Sequence, residues 1–274
     1  MPSVAVVTGA SFGFGRAVAA ALAERGWTLV LDARRPEPLR EVAASLGGGI
    51  IALPGDVADA DHRAELAAAV RRLGRLDLLV NNASMLGPSP LPPLADYPLD
   101  ELAAVYRVNV LAPLALAQLL LPLLRDSGGM IVNVSSDAAV EAYEGWGGYG
   151  SAKAALDQLT AVLGAEQPAL RVYAFDPGDM RTDMHQQAFP GEDISDRPEP
   201  ETVVPALLRL LDTRPPSGRY RAGDLAAAAV EPAGAGPAAA GEPAAGGPSA
   251  GPAAAGEPAG AGPAVAGEPA GVAR

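Results

Sequence analysis

Residues 3–8 form a short apolar run closed by Gly9, and residues 15–25 follow with apolar positions at helical spacing. The alternation continues along the chain. Runs at 27–31, 50–53, 76–80, 130–135 and 170–175 read as strands, residues 38–46, 59–73, 100–125, 149–164 and 201–211 as helices, and 219–221 as a short last strand. The strands are continuous apolar runs rather than alternating ones, so both faces of their sheet must be covered. That predicts an α/β fold, a doubly wound parallel sheet of the Rossmann type, which binds ligands beyond the carboxyl ends of its strands.

The pattern stops near residue 225. From 226 onward the chain is almost entirely Ala, Gly and Pro with four Glu, and residues 236–246, 251–261 and 262–272 are imperfect copies of one eleven-residue unit. Each copy has two Pro, at least two Gly and no large apolar side chain, so helix is blocked and nothing is available to bury. Residues 1–225 are therefore expected to form a single folded domain, and 226–274 a disordered tail with no part in catalysis.

Composition narrows the function. The formal net charge of −12 argues against nucleic acid or an anionic membrane as partner, since both need a basic footprint. With no Cys and two His, thiolate chemistry, disulfide scaffolds and His- or Cys-based metal sites are not expected. The first residues lack a basic targeting segment, and the apolar stretch 108–124 falls short of the ~20 residues of a bilayer span, so it reads as a buried or interface helix. A cytoplasmic location fits.

The turn after the first strand reads Thr8-Gly9-Ala10-Ser11-Phe12-Gly13-Phe14-Gly15. Glycines there permit tight turning and close approach of a diphosphate to the helix N-terminus. The second strand ends in Asp32-Ala33-Arg34-Arg35, where the adenosine ribose of a dinucleotide would lie. An acid at this end accepts from a 2′-hydroxyl and favours NAD, whereas Arg pairs with the 2′-phosphate of NADP. Asp32 stands one residue before the usual discriminating position, Ala33, so the balance favours NADP with Arg34 as clamp, and NAD is the alternative.

Further motifs follow in order: Asn81-Asn82-Ala83, Asn109, Ser136, Tyr149-x-x-x-Lys153 and Pro177-Gly178-x-x-x-Thr182. With the glycine turn, this series resembles the single-domain branch of the short-chain dehydrogenase/reductase family, from residue 3 to about 222. The resemblance implies a catalytic set of Asn109, Ser136, Tyr149 and Lys153, with Ser136 chosen over Ser135 because it lies thirteen residues before Tyr149. It implies that Lys153 also binds the nicotinamide ribose, that Ser136 bonds the substrate oxygen and that Asn109 holds a water in a proton relay. It further implies cofactor contacts from Thr8, Gly9, Ser11, Phe12, Gly13, Phe14 and Gly15, from Asp56 and Val57, from Asn82 and Ala83, and from Pro177, Gly178, Met180 and Thr182. Asp56 could equally cap the next helix. Ser84 stands where the family usually has Gly, which would narrow the approach to the cofactor.

The side-chain chemistry agrees with this likeness. Tyr149 and Lys153 are four residues apart and share a helix face, and a neighbouring ammonium is expected to lower the phenol pKa into a useful range. Lys153 is moreover the sole lysine of the chain, beside nineteen Arg. A compact ammonium that can relay a proton is what Arg cannot replace.

The resemblance also implies a substrate cleft lined by the segments 137–146 and 183–194, the second often a mobile lid. Their acidic and aromatic residues fit a polar or cationic substrate with an apolar body, or simply a solvated loop. Helices 100–125 and the one starting at Tyr149 commonly form the subunit interface in that family, so a homodimer or homotetramer is expected. The expected activity is interconversion of a small-molecule carbonyl and alcohol. A cofactor-binding sensor on the same fold is the rival reading, disfavoured because the four catalytic positions are intact. A nucleotide-sugar epimerase would need a C-terminal substrate domain, which the tail cannot make.

Overall fold

The computed structural model describes residues 2–227, so the eleven-residue repeats lie outside the described residues. Strands β1 (Val4–Val7), β2 (Thr28–Ala33) and β3 (Ile50–Pro54) alternate with helices α1 (Gly13–Glu24), α2 (Pro36–Leu46) and α3 (Ala60–Leu73). Next come β4 (Leu78–Asn81), α4 (Leu99–Tyr106), α5 (Ala112–Ser127), β5 (Met130–Val134), α6 (Gly147–Glu166) and β6 (Arg171–Asp176). The described chain closes with α7 (Asp183–Ala188), α8 (Pro200–Thr213), β7 (Gly218–Arg221) and α9 (Ala222–Ala227). These strands form one parallel sheet in the order β3-β2-β1-β4-β5-β6-β7.

Side chains of a strand point to alternate faces. In β1 and β2, Ala5, Val7, Leu29, Leu31 and Ala33 enter a core shared with α1, α2 and α8, while Val4, Val6 and Val30 enter a second core under α3 and α5. Both faces being covered is why the strands read as unbroken apolar runs. After β3 the chain returns to the other side of β1 to form β4. The reversal opens a crevice at the carboxyl ends of β1 and β4.

Three features depart from the sequence reading. The helix over 100–125 contains a π-helical turn, Arg107–Leu111, between α4 and α5, in which the Ala112 N–H bonds to the Arg107 carbonyl. Pro113 has no N–H to offer the carbonyl of Asn109 four residues earlier, and a π-turn absorbs that break. The whole helix, Leu99–Ser127, is also long and apolar enough by length and composition to cross a membrane, where the stretch 108–124 alone fell short. Its Leu116, Leu120 and Leu124 pack with Leu66 and Val70 of α3 in the second core. Finally, the segment 183–194, expected as a loop or lid, begins with helix α7.

Candidate active site

Most residues of these motifs line one cleft of about 1110 Å³ at the carboxyl ends of the strands. The exceptions, Thr8, Ala10, Gly15, Asn81 and Asn109, are buried behind its wall. Thr8 Oγ1 accepts from the N–H groups of Asn82 and Ala83, both at 3.0 Å. Asn82 Nδ2 donates to the carbonyls of Thr8 and Gly9, so the first and fourth strand ends are laced together.

The turn between β1 and α1 can be built only from small residues at its key points. Gly9 has φ +66°, and a Cβ there would lie 2.9 Å from Ala83 Cα. At Gly15 a Cβ would stand 2.4 Å from the Gly9 carbonyl oxygen. Helix α1 starts without a side-chain cap and with no acid in its first turn, so its leading N–H groups suit an anionic ligand. Ser11 and Phe12 line the cleft at this turn. Phe14 also borders it, while its ring stacks on Phe175 in the core at 5.9 Å. Across the turn, Thr182 places its Cγ2 3.2 Å from where a Gly13 Cβ would be.

Just past the carboxyl end of β2, Arg34 and Arg35 are exposed on the cleft, and the Arg35 guanidinium lies 4.1 Å over the Phe12 ring. Asp56 accepts from the Ala58 N–H at 2.8 Å. It does not cap α3: Asp59 does, accepting from Asp61. Val57 is buried at the cleft wall with its carbonyl held by Arg63. Gly178 has φ +74°, and its N–H bonds to Asp176, shaping the loop that carries Pro177 and Met180 along the cleft.

Ser136, Tyr149 and Lys153 meet where β5 ends and α6 begins. Ser136 Oγ donates to Asp137 at 2.9 Å and accepts from the Ala138 N–H. Lys153, 2% exposed, donates from Nζ to the Val134 carbonyl at 2.7 Å and lies 5.4 Å from the Tyr149 ring. Burial pushes the Tyr149 phenol up to about 12, against a hydrogen bond with Ser84 that lowers it. Burial likewise lowers the Lys153 ammonium to about 8, with Asp157 opposing. The expected lowering of the Tyr149 pKa is therefore not what the fold gives. Desolvation wins, and at neutral pH Tyr149 keeps its proton.

Asn109, fully buried in the π-turn, accepts the Met85 N–H and donates to the Met85 carbonyl, both at 2.8 Å. Ser84 Oγ donates to Asn109 Oδ1 at 3.3 Å, so this one hydroxyl touches both Asn109 and Tyr149.

The sequence matches the family model described as short chain dehydrogenase over residues 3–193. The chain belongs to the short-chain dehydrogenase/reductase family. It is a nicotinamide-dependent oxidoreductase acting between a carbonyl and an alcohol. Among relatives, the sepiapterin reductase of Mus musculus is 38% identical over 202 residues, covering 68% of this chain and 77% of the relative. The serine 3-dehydrogenase of Agrobacterium fabrum is 34% identical over 187 residues, covering 67% and 74%. A short-chain dehydrogenase of Shigella flexneri, solved in complex with NADP, superposes with a TM-score of 0.76 at 33% identity, over 81% of this chain and 97% of that one.

One further part of the dehydrogenase site was not found from sequence. Arg219 of β7 reaches behind the Ser136 strand end, donating to the Ser136 carbonyl at 2.9 Å, to Asp176 at 2.9 Å and to Asp157 at 3.0 Å. Nothing in its short, polar stretch of sequence marks it. Beyond Tyr149 the dehydrogenase has an aromatic wall: Trp146 lies edge-on to Tyr149 at 5.8 Å and against Phe189 of the segment after α7 at 5.9 Å, with Leu86 and Met184 beside them.

Proposed function

We propose that this dehydrogenase reduces a small carbonyl compound with NADPH as the preferred cofactor, Tyr149 supplying the proton and Ser136 bonding the substrate oxygen. The reading is carried by one juxtaposition: Ser136, Tyr149 and Lys153 line the same cleft as a glycine turn fit for a diphosphate. When bound, the nicotinamide supplies the hydride. Tyr149, protonated at neutral pH, gives its proton to the developing alkoxide, and the ammonium of Lys153 steadies the phenolate left behind. Asn109 acts from behind by fixing the Met85 backbone at the cleft. Arg34 and the neighbouring Arg35 are positioned for a 2′-phosphate, and the NADP complex of the Shigella relative supports that preference. The wall of Trp146, Phe189 and Leu86 favours a substrate with an apolar or aromatic body. Leu99 and Leu111, 77% and 56% exposed on the long helix, support association of two or more copies through that face.

Tyr149→Phe tests the mechanism. Turnover should fall by a factor of ~10²–10⁴ while NADPH binding, followed by fluorescence, stays within about twofold. Unchanged turnover would overturn the proposal.

A further inference from the structure

The mechanism makes no use of one buried ion pair in the cleft wall. Asp32 is the fifth residue of β2 and has the parity of Val30, so its carboxylate points toward the α3 face, away from Ala33. There it meets His62 of α3 at 2.6 Å, with side-chain exposures of 1% and 6%. The ring fits because residue 55 is Gly: a Cβ at that position would stand 2.2 Å from His62 Nδ1. Gly55 and Asp32 both line the cleft, next to Arg34.

We infer that His62 is a specificity-determining positioning residue: it holds the Asp32 carboxylate inside the protein, so that an acid at the end of β2 neither accepts from a 2′-hydroxyl nor repels a 2′-phosphate. An acid at this strand end otherwise selects NAD. Here the His62 ring engages an Asp32 carboxylate oxygen at 2.6 Å inside the wall. The hydrogen bond with Asp32 raises the His62 pKa above its ordinary value, Glu65 of α3 and its cap Asp59 add to that, and burial opposes it. Asp56 is the other carboxylate acting on Asp32. With the acid held inside the wall, the two exposed guanidinium groups of Arg34 and Arg35 set the local potential.

The inference rests on the NADPH preference proposed above, and binding measurements separate the two. Dissociation constants for NADPH, NADH, 2′,5′-ADP and 5′-AMP are measured by calorimetry on the wild type and on His62→Ala, His62→Gln and the double variant Asp32→Asn/His62→Ala. Wild type binding NADPH no better than NADH would refute the cofactor reading. The inference itself is read from the change in ratio between proteins. Unpairing the carboxylate in His62→Ala should reduce the NADPH-to-NADH and 2′,5′-ADP-to-5′-AMP affinity ratios about tenfold. His62→Gln keeps a donor to Asp32 but not the imidazole; it should shift the ratios the same way to a smaller extent, and it is the readout if His62→Ala does not fold. The double variant, with no carboxylate to unmask, should restore the wild-type ratios, which a purely structural role for His62 would not do. Unchanged ratios in the folded His62 variants, or ratios lowered equally in the double variant, would overturn the inference.

Discussion

Replacing Lys153 with Met removes an ammonium that the fold holds 2% exposed, and the effect on stability should depend on pH in a defined direction. Burial lowers this group from its ordinary 10.5 to about 8. Between those two values the unfolded chain carries the Lys153 proton and the folded chain does not, so the contribution of Lys153 to stability rises with pH across that window. The pKa change corresponds to about 3 kcal/mol. Below pH 8 the folded wild type bears the charge, and part of what Lys153→Met gains by shedding it is lost with the hydrogen bond to the Val134 carbonyl, about 1 kcal/mol. The assay is urea unfolding of both proteins at pH 7, 8, 9 and 10, compared at constant m so that other titrating groups cancel. Wild type should gain on Lys153→Met by about 2 kcal/mol between pH 8 and 10. A difference that is flat with pH would refute the claim that desolvation governs this ammonium, and with it the account of why Tyr149 is not pulled down.

Other substitutions probe the frame around the site. Arg219→Ala leaves buried Asp176 short of its closest cation and frees the Ser136 carbonyl; unfolding should be easier by about 2 kcal/mol or more, and kcat should drop more than cofactor affinity. Wild-type stability in that variant would show that the network is not structural. Gly9→Ala combines a φ of +66° with a Cβ 2.9 Å from Ala83 Cα, so NADPH affinity, measured by titration, should fall at least tenfold. Affinity within twofold of wild type would mean that the turn has another way to close.

Much of the fold was legible because it follows from local rules. Continuous apolar runs between helical stretches can only be a sheet covered on both faces, and the two cores divide β1 and β2 by residue parity as that pattern requires. The glycine turn and the Tyr149-x-x-x-Lys153 spacing were visible for the same reason, each being a property of contiguous sequence. What was missed depends on distant pairing. Arg219 acquires its place from β7 docking beside β6, and Ser84 from the approach of α6 to the end of β4. The partner of Asp32 lies thirty residues away on α3, and no local pattern announces it. The π-turn did have a signal, Pro113 four residues after Asn109, which a reading of apolar periodicity passes over. Burial also reversed the expected direction of the Tyr149 pKa, since sequence spacing shows the neighbouring charge but not the loss of solvent.

The central claim, that Ser136 and Tyr149 act together on one carbonyl oxygen, is tested most directly by a double-mutant cycle on kcat/KM for NADPH-dependent carbonyl reduction. Ser136→Ala and Tyr149→Phe should each lower it by a factor of ~10²–10⁴, and the double variant should be little worse than the poorer single one, because groups acting as a unit are not additive. Full activity in either single variant, or losses that simply multiply in the double, would contradict the account.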